Sequence, residues 1–251
     1  MIFRITECFR ILIPVRYKTT FKKSSFFYCY RLFIEKRILS ANRGGLGSSK
    51  FNEAQIALEF LPEKYGFYVD VGAGAPVEAS NTFAFYASGW RGICIDPISI
   101  NERLHKRIRP ADIFIKTLVG ATRQEVIFYE FAPWGYSTTV KEVADKLSRK
   151  PGVFLIRSGT MITVPLSEIV PSSTPEQPSL LCIDAEGSDL EILKSNNFKV
   201  FSPRVIICED YKIYSENQAS TDIDIFLEKF DYTLVKTSGY SKIFVHKTYL
   251  N

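Results

Sequence analysis

From residue 49 onward, short apolar runs alternate with stretches whose apolar positions recur at helical spacing. That alternation predicts a mostly parallel sheet flanked by helices. Residues 50–61 (KFNEAQIALEFL) read as a helix stopped by Pro62. The strand FYVDV, the turn GAGAP and a helix near Glu78 to Ser88 follow. GICID is the second strand, residues 100–107 a helix, and IFIKTLV the third strand. EVIFYEF and MITVPL bracket polar residues 132–160, which are long for a connection and therefore read as substrate-facing. SLLCID is the fourth major strand, DLEILK a helix, RVIICED the fifth strand and TDIDIFLEKF a helix. YTLVKT and KIFVH, joined by SGYS, close the chain as a hairpin.

Residues 1–48 follow a different pattern, in which cations such as Arg10, Lys22 and Arg31 interleave with Phe9, Phe21 and Tyr30. Ten Lys and Arg stand there against two Glu, a net +8, so that a chain of +5 overall leaves −3 for residues 49–251. ANRGGLGSSK, residues 41–50, reads as a linker, which sets a basic, aromatic-rich extension at 1–48 and a domain at 49–251. Such an extension suits an anionic membrane surface. It equally suits one or two helices whose aromatics dock on the body while the basic stems snorkel. With no recognisable RNA or DNA module, a nucleic-acid partner is not expected.

Charges interrupt every apolar stretch well short of the roughly 20 residues of a bilayer-spanning helix. No secretory leader is recognisable, and five cysteines without CxxC spacing point to a reducing compartment without a zinc site. The expected location is cytoplasmic, with peripheral attachment to the inner membrane face through residues 1–48. His105 and His246 are the only histidines, which leaves no histidine triad or zinc chemistry. His105 reads as a solvated or capping helix residue and His246 as structural. Asp222 and Asp224 read as surface acids at a helix start.

Candidate chemistry begins at Tyr68–Pro76 (YVDVGAGAP), where Asp70 stands near the end of a buried strand and Gly72, Ala73 and Gly74 open the turn beyond it. Glycines let backbone approach a ligand, and a following helix start favours negative charge. Val77 replaces the third glycine of GxGxxG, so the dinucleotide fingerprint fails. Asp96, at the end of the second strand, can accept hydrogen bonds from both hydroxyls of a ribose. Together these describe a nucleoside-bearing cofactor at the C-terminal edge of a sheet.

YVDVGAGAP, GICIDP, LLCIDAEGSDLEILKS and RVIICED resemble the FkbM family of S-adenosylmethionine-dependent methyltransferases, whose hallmark is a strand ending in D-x-E-G before a helix. The likeness runs from about Phe51 to His246. It implies an α/β, doubly wound, Rossmann-like class I methyltransferase fold, with a mostly parallel seven-stranded sheet and a C-terminal antiparallel hairpin. It also implies that Asp70, Gly72, Ala73 and Gly74 line the amino-acid end of the cofactor, that Asp96 and Pro97 hold its ribose, and that Leu118 and Val119 lie near its adenine. Cys182 stands where the family often has lysine, and Asp96-Pro97 replaces the common Glu-Pro.

Methyl transfer to oxygen needs a base for the hydroxyl proton. Asp184 and Glu186 end the fourth strand, and Glu209 and Asp210 end the fifth, which a parallel sheet brings to one edge. Acids gathered there either repel, raising a pKa, or share a cation. The arrangement also resembles sugar O-methyltransferases of macrolide pathways, and on that likeness Asp184, Glu209 and Asp210 would hold Mg2+. The acids could equally cap the following helix and pair with lysines. Trp134, Tyr136 and Ser137, with Thr138, offer an aromatic platform with hydroxyls that suits a carbohydrate, or a surface lid. The leading expectation is O-methylation of a sugar or glycan precursor. The rivals are an inactive cofactor-fold module serving as a partner or membrane-attached scaffold, and a dinucleotide oxidoreductase. Acceptor and oligomeric state stay open at this stage.

Overall fold

A computed structural model describes residues 25–41, 49, 52–132, 134–170, 179–210 and 220–250. They divide into two compact units, one formed by Glu35–Glu125 and Met161–Asn251, the other by Val126–Thr160 and the chain before Glu35. The helices in chain order are α1 (Ser25–Ala41), α2 (Glu53–Leu58), α3 (Phe83–Ala87), α4 (Ser99–Ile108), α5 (Lys141–Leu147), α6 (Leu166–Ile169), α7 (Asp189–Lys194) and α8 (Asp222–Glu228).

The larger unit is built on a seven-stranded sheet. Its centre is β1 (Phe67–Val71), paired in parallel with β2 (Arg91–Ile95) on one side and β7 (Leu180–Ile183) on the other. β3 (Ile113–Ile115) extends the sheet beyond β2, and β8 (Val205–Glu209) extends it beyond β7, both in parallel. β10 (Ser241–His246) runs antiparallel between β8 and β9 (Tyr232–Ser238). The order β3-β2-β1-β7-β8-β10-β9 is the doubly wound sheet with a closing antiparallel hairpin that the sequence implied.

The inner strands read as unbroken apolar runs because both faces are covered. Val69, Ile183 and Ile206 face one way, against Leu166 of α6, Ile192 of α7 and Leu227 of α8. Tyr68, Cys94, Cys182 and Ile207 face the other way, against Ala54 and Ala57 of α2, Phe85 of α3 and Trp90. Cys182 is thus a core residue at 1% exposure.

The structure departs from the sequence pattern in three places. IFIKTLV is not one strand, because Asp96 and Thr117 both donate backbone N–H groups to Ile115 O, closing a turn after β3. The chain then forms β4 (Leu118–Val119), which joins β6 (Phe154–Val164) and β5 (Glu125–Ala132) in a second sheet of order β4-β6-β5. The helix expected from Glu78 starts only at Phe83, leaving a long turn. Residues 132–160 hold a 3-10 turn at Trp134–Tyr136, α5 and the first part of β6, since Phe154 to Thr160 extend the strand that MITVPL only ends. Phe131, Ala144 and Val153 form a small core of their own in that segment.

Within the basic extension, residues 25–41 form the single helix α1. Residues 1–24, which carry much of the proposed membrane charge, lie outside the described residues. Among the described residues no helix is long and apolar enough to cross a membrane.

Candidate active site

After β1 the chain leaves the sheet through Gly72, Ala73 and Gly74. Gly72 has φ +76° and Gly74 φ +55°, conformations that glycine adopts without strain. A Cβ on Gly72 would lie 1.9 Å from the Asp184 carbonyl oxygen, so the turn is packed against the end of β7 with no room for a side chain. Gly72 and Ala73 donate N–H groups to Ile95 O at 2.9 and 3.1 Å, which binds the turn to the end of β2. Asp96, just past β2, is 5% exposed. Its carboxylate accepts from Gly74 N at 3.1 Å, Ile98 N at 2.7 Å and Asn101 Nδ2 at 3.1 Å. The half-buried Pro97 sits at the corner leading into α4.

The residues that hold this turn from the interior were not apparent from the sequence. Arg109, 1% exposed, pairs with Asp112 at 2.7 Å and donates to Tyr68 Oη at 2.7 Å, Thr82 Oγ1 at 3.0 Å and Ser80 Oγ at 3.2 Å. It also reaches Pro76 O at 3.4 Å. The Thr82 hydroxyl donates in turn to Asp70, whose carboxyl burial pushes above its ordinary range while Arg109 pulls it back. Asp70 is therefore spent inside the turn.

His105 is also interior, at 1% exposure, which corrects the reading of it as solvated or capping. Its Nε2 lies 3.2 Å from Gly74 O and its ring packs on Phe114 at 4.9 Å between centroids. Burial and the nearby Arg109 charge hold its pKa well below the usual histidine range, so the neutral ring donates its Nε2–H to the Gly74 carbonyl.

At the other side of β1, the ends of β7 and β8 carry acids. Asp184 N–H donates to Val71 O at 2.9 Å, and the Asp184 carboxyl lies beside that of Glu209. Burial, then the charge of Glu209, with Glu186 and Asp189 adding to it, push Asp184 well above the usual carboxylate range. Asp189, 1% exposed, bridges the two strand ends by accepting from Glu209 N at 3.0 Å and Ala185 N at 3.4 Å. Burial, with Glu209 adding to it, raises its pKa to about 8. Glu186 is exposed, with φ +51°, and Gly187 follows at φ +95°. D-A-E-G thus encodes a sharp left-handed bend after the strand, and Asp189 completes it. The sequence signal for Asp189 was its place at the start of DLEILK, where an acid reads only as a helix cap.

The methyltransferase FkbM domain model matches residues 70–234, well over half the chain. The chain belongs to the FkbM methyltransferase family. No curated protein matches it. Among solved structures it is similar to a precorrin-6y C5,15-methyltransferase from Geobacter metallireducens, at 14% identity and TM-score 0.37, with 79% of this chain and 89% of that one covered. It is also similar to a protein from Pyrococcus horikoshii described as an RNA methyltransferase, at 9% identity and TM-score 0.37, with 80% and 88% covered.

FkbM membership implies S-adenosylmethionine as methyl donor, and the residues present fit it. Asp96 stands at the end of β2, where an acid reaches a ribose, and beside it a Cβ on Gly74 would meet nothing closer than Gly72 O at 3.8 Å. Leu118 and Val119 are half-buried, and Val119 packs against the core of the larger unit.

The FkbM acids do not fit Mg2+. Asp210 is spent on Lys242, whose Nζ lies 3.1 Å from its Oδ2, and it accepts from Thr221 Oγ1 at 2.5 Å. Among the described residues no three His, Cys, Asp or Glu converge as a metal requires. Lys242 also pairs with Asp224 at 2.6 Å, so Asp224 is an interior ion partner and not the surface acid expected. Asp222 is exposed, as read.

The proposed sugar platform belongs to the smaller unit. Tyr136 is exposed, with Lys150 Nζ 4.5 Å from its ring centroid and 3.2 Å from its Oη. Ser137 Oγ accepts from Phe131 N at 3.1 Å, and Thr138 pairs with Tyr129 across the same hairpin. The Trp134 side chain lies outside the described residues.

Proposed function

We propose that this FkbM-family protein methylates a hydroxyl oxygen of a sugar or glycan precursor, using S-adenosylmethionine. The observation that carries this reading is the placement of Asp184 and Glu209 side by side on adjacent strand ends, with the Asp184 N–H bonded to Val71 O just before the glycine turn. When bound, the cofactor supplies a methyl group made electrophilic by its sulfonium. A hydroxyl becomes an effective nucleophile toward such a group only as its proton leaves. Burial and neighbouring negative charge raise the proton affinity of the Asp184 carboxyl, so its ionised form is a stronger base than an ordinary carboxylate.

In this reading Asp96, with Pro97 at its corner, holds the ribose hydroxyls. Gly72, Ala73 and Gly74 give the backbone surface of the cofactor site, while Asp70 fixes their shape through Thr82. Glu209 and Asp184 orient the acceptor hydroxyl and take its proton, and the exposed Glu186 lies beside them at the bend. The sugar class rests on the aromatic and hydroxyl composition of residues 134–138.

Calorimetric titration with S-adenosylmethionine, its demethylated product and NAD(P) is the first test. Binding of the first two and not the third is expected, and binding of NAD(P) alone would overturn the cofactor. Labelled methyl transfer to a pool of sugars and nucleotide sugars then tests the acceptor. Transfer to nitrogen or carbon acceptors, with sugars inert, would overturn the oxygen chemistry.

A further inference from the structure

The turn after β1 is held by one side chain from far outside the glycine motif. Glu35, in α1, is fully buried. Its Oε2 accepts from Val77 N at 3.0 Å and from Glu78 N at 3.1 Å. Glu35 belongs to the same compact unit as the sheet, although it lies 42 residues before Val77.

Those two amides are where the sequence predicts the first turn of a helix, whose opening N–H groups have no partner within the helix. Here no helix begins until Phe83. The turn is instead bound at successive backbone atoms by side chains: Gly74 N by Asp96, Gly74 O by His105, Pro76 O by Arg109, and Val77 and Glu78 N by Glu35. Asp96, His105 and Arg109 all follow β2. Glu35 restrains the far end of the turn from before β1. Ala79, next after Glu78, has φ +58°, a conformation that a residue with a Cβ holds only when its surroundings impose it.

We infer that Glu35 is a positioning residue for the cofactor turn, so that the C-terminal part of α1 belongs to the S-adenosylmethionine site instead of being an appendage of the domain. This rests on the proposed cofactor. Glu35 does not touch the ligand in this account. It fixes Val77 and Glu78, and through them the path of Gly74, whose amide shares Asp96 with the ribose.

The test uses the full chain as wild type, E35A, E35Q and E35D. Each is titrated with S-adenosylmethionine, and amide hydrogen exchange is followed at residues 75–82. In the wild type the Val77 and Glu78 amides should exchange slowly. E35A should lose that protection and bind S-adenosylmethionine about tenfold more weakly, the equivalent of roughly 1.4 kcal/mol. E35Q retains a carbonyl oxygen that can accept both N–H groups, and should recover protection and come within about threefold of wild-type affinity. E35D, one methylene shorter, should fall between them and covers the case in which E35A does not fold.

Wild-type amides that exchange as fast as exposed loops would overturn the inference, as would E35A and E35D with unchanged affinity. E35Q as weak as E35A would overturn the hydrogen-bond basis. A wild type that keeps the two amides protected and ignores S-adenosylmethionine would instead overturn the cofactor reading on which the positioning role rests.

Discussion

The two sides of β1 manage buried charge in opposite ways. On the β2 side, Arg109, Asp112, Asp96, Glu35 and His105 are each matched to a defined partner, and the result is a backbone turn fixed at almost every atom. On the β7 and β8 side, Asp184, Glu209 and Asp189 lie together, and like charge adds to burial in raising two of their pKa values. The first arrangement suits binding, because a preorganised surface loses little freedom when a ligand arrives. The second suits proton transfer, because groups that hold a proton against their ordinary tendency can exchange it near neutral pH. On the proposed reading, cofactor holding falls to one side and acid–base work to the other.

The sharpest way to break the comparison is to remove the charge that organises the binding side. Arg109→Met leaves the buried Asp112 without its counter-charge and takes a donor from Tyr68 and Thr82, so it should cost about 3–5 kcal/mol of stability in denaturant unfolding. An unchanged midpoint would show that the network is not what holds the turn. The matching change on the acid side should act on turnover instead. Asp184→Asn keeps the shape and relieves like charge, so methyl transfer should fall about 100-fold or more while unfolding moves by less than about 1 kcal/mol. A folding defect with turnover intact would reverse the two assignments.

Gly72→Ala probes the point where the sides meet. Strain at φ +76° alone should cost about 1–3 kcal/mol, and the Cβ must also displace the Asp184 carbonyl, so both S-adenosylmethionine binding and turnover should drop. Binding that survives at full strength would separate the turn from the cofactor.

The last effect, spread over several pH units, is a pH dependence. Asp189 has a folded pKa of about 8 against an ordinary value of 3.8, so the native state binds more protons than the unfolded chain between those limits. Its contribution to stability is therefore fully present below pH 3.8 and is lost as pH rises through that window, by up to about 1.4 kcal/mol per pH unit. Asp189→Asn should flatten that part of the curve in denaturant melts between pH 5 and pH 8. The same slope in the variant would place the titration elsewhere.

Much of this arrangement could be read in the chain. FYVDV, SLLCID and RVIICED announce doubly covered strands that end in acids, because burial on both faces leaves no alternation and the acids mark where the sheet ends. Topology then brought Asp184 and Glu209 together. The interior cations were not legible, since nothing local singles out Arg109 or Lys242, and their partners, Tyr68 at 41 positions away and Thr221 at 21, come from other elements. The same distance hid Glu35. The Mg2+ expectation failed for a related reason, because Lys242 claims Asp210 from the closing hairpin. The break in IFIKTLV depends on Asp96 and Thr117 converging on Ile115 O, which no local propensity announces.

The central claim is that burial and the neighbouring carboxylates hold the Asp184 pKa well above the usual carboxylate range. Carboxyl 13C NMR of protein labelled at Asp and Glu, titrated from pH 4 to pH 9 in wild type, D184N and E209Q, tests it directly. The account predicts an Asp184 resonance, absent in D184N, that titrates well above the usual carboxylate range in the wild type and moves down toward that range in E209Q. An Asp184 resonance that titrates near pH 4 in the wild type, and is indifferent to E209Q, would contradict it.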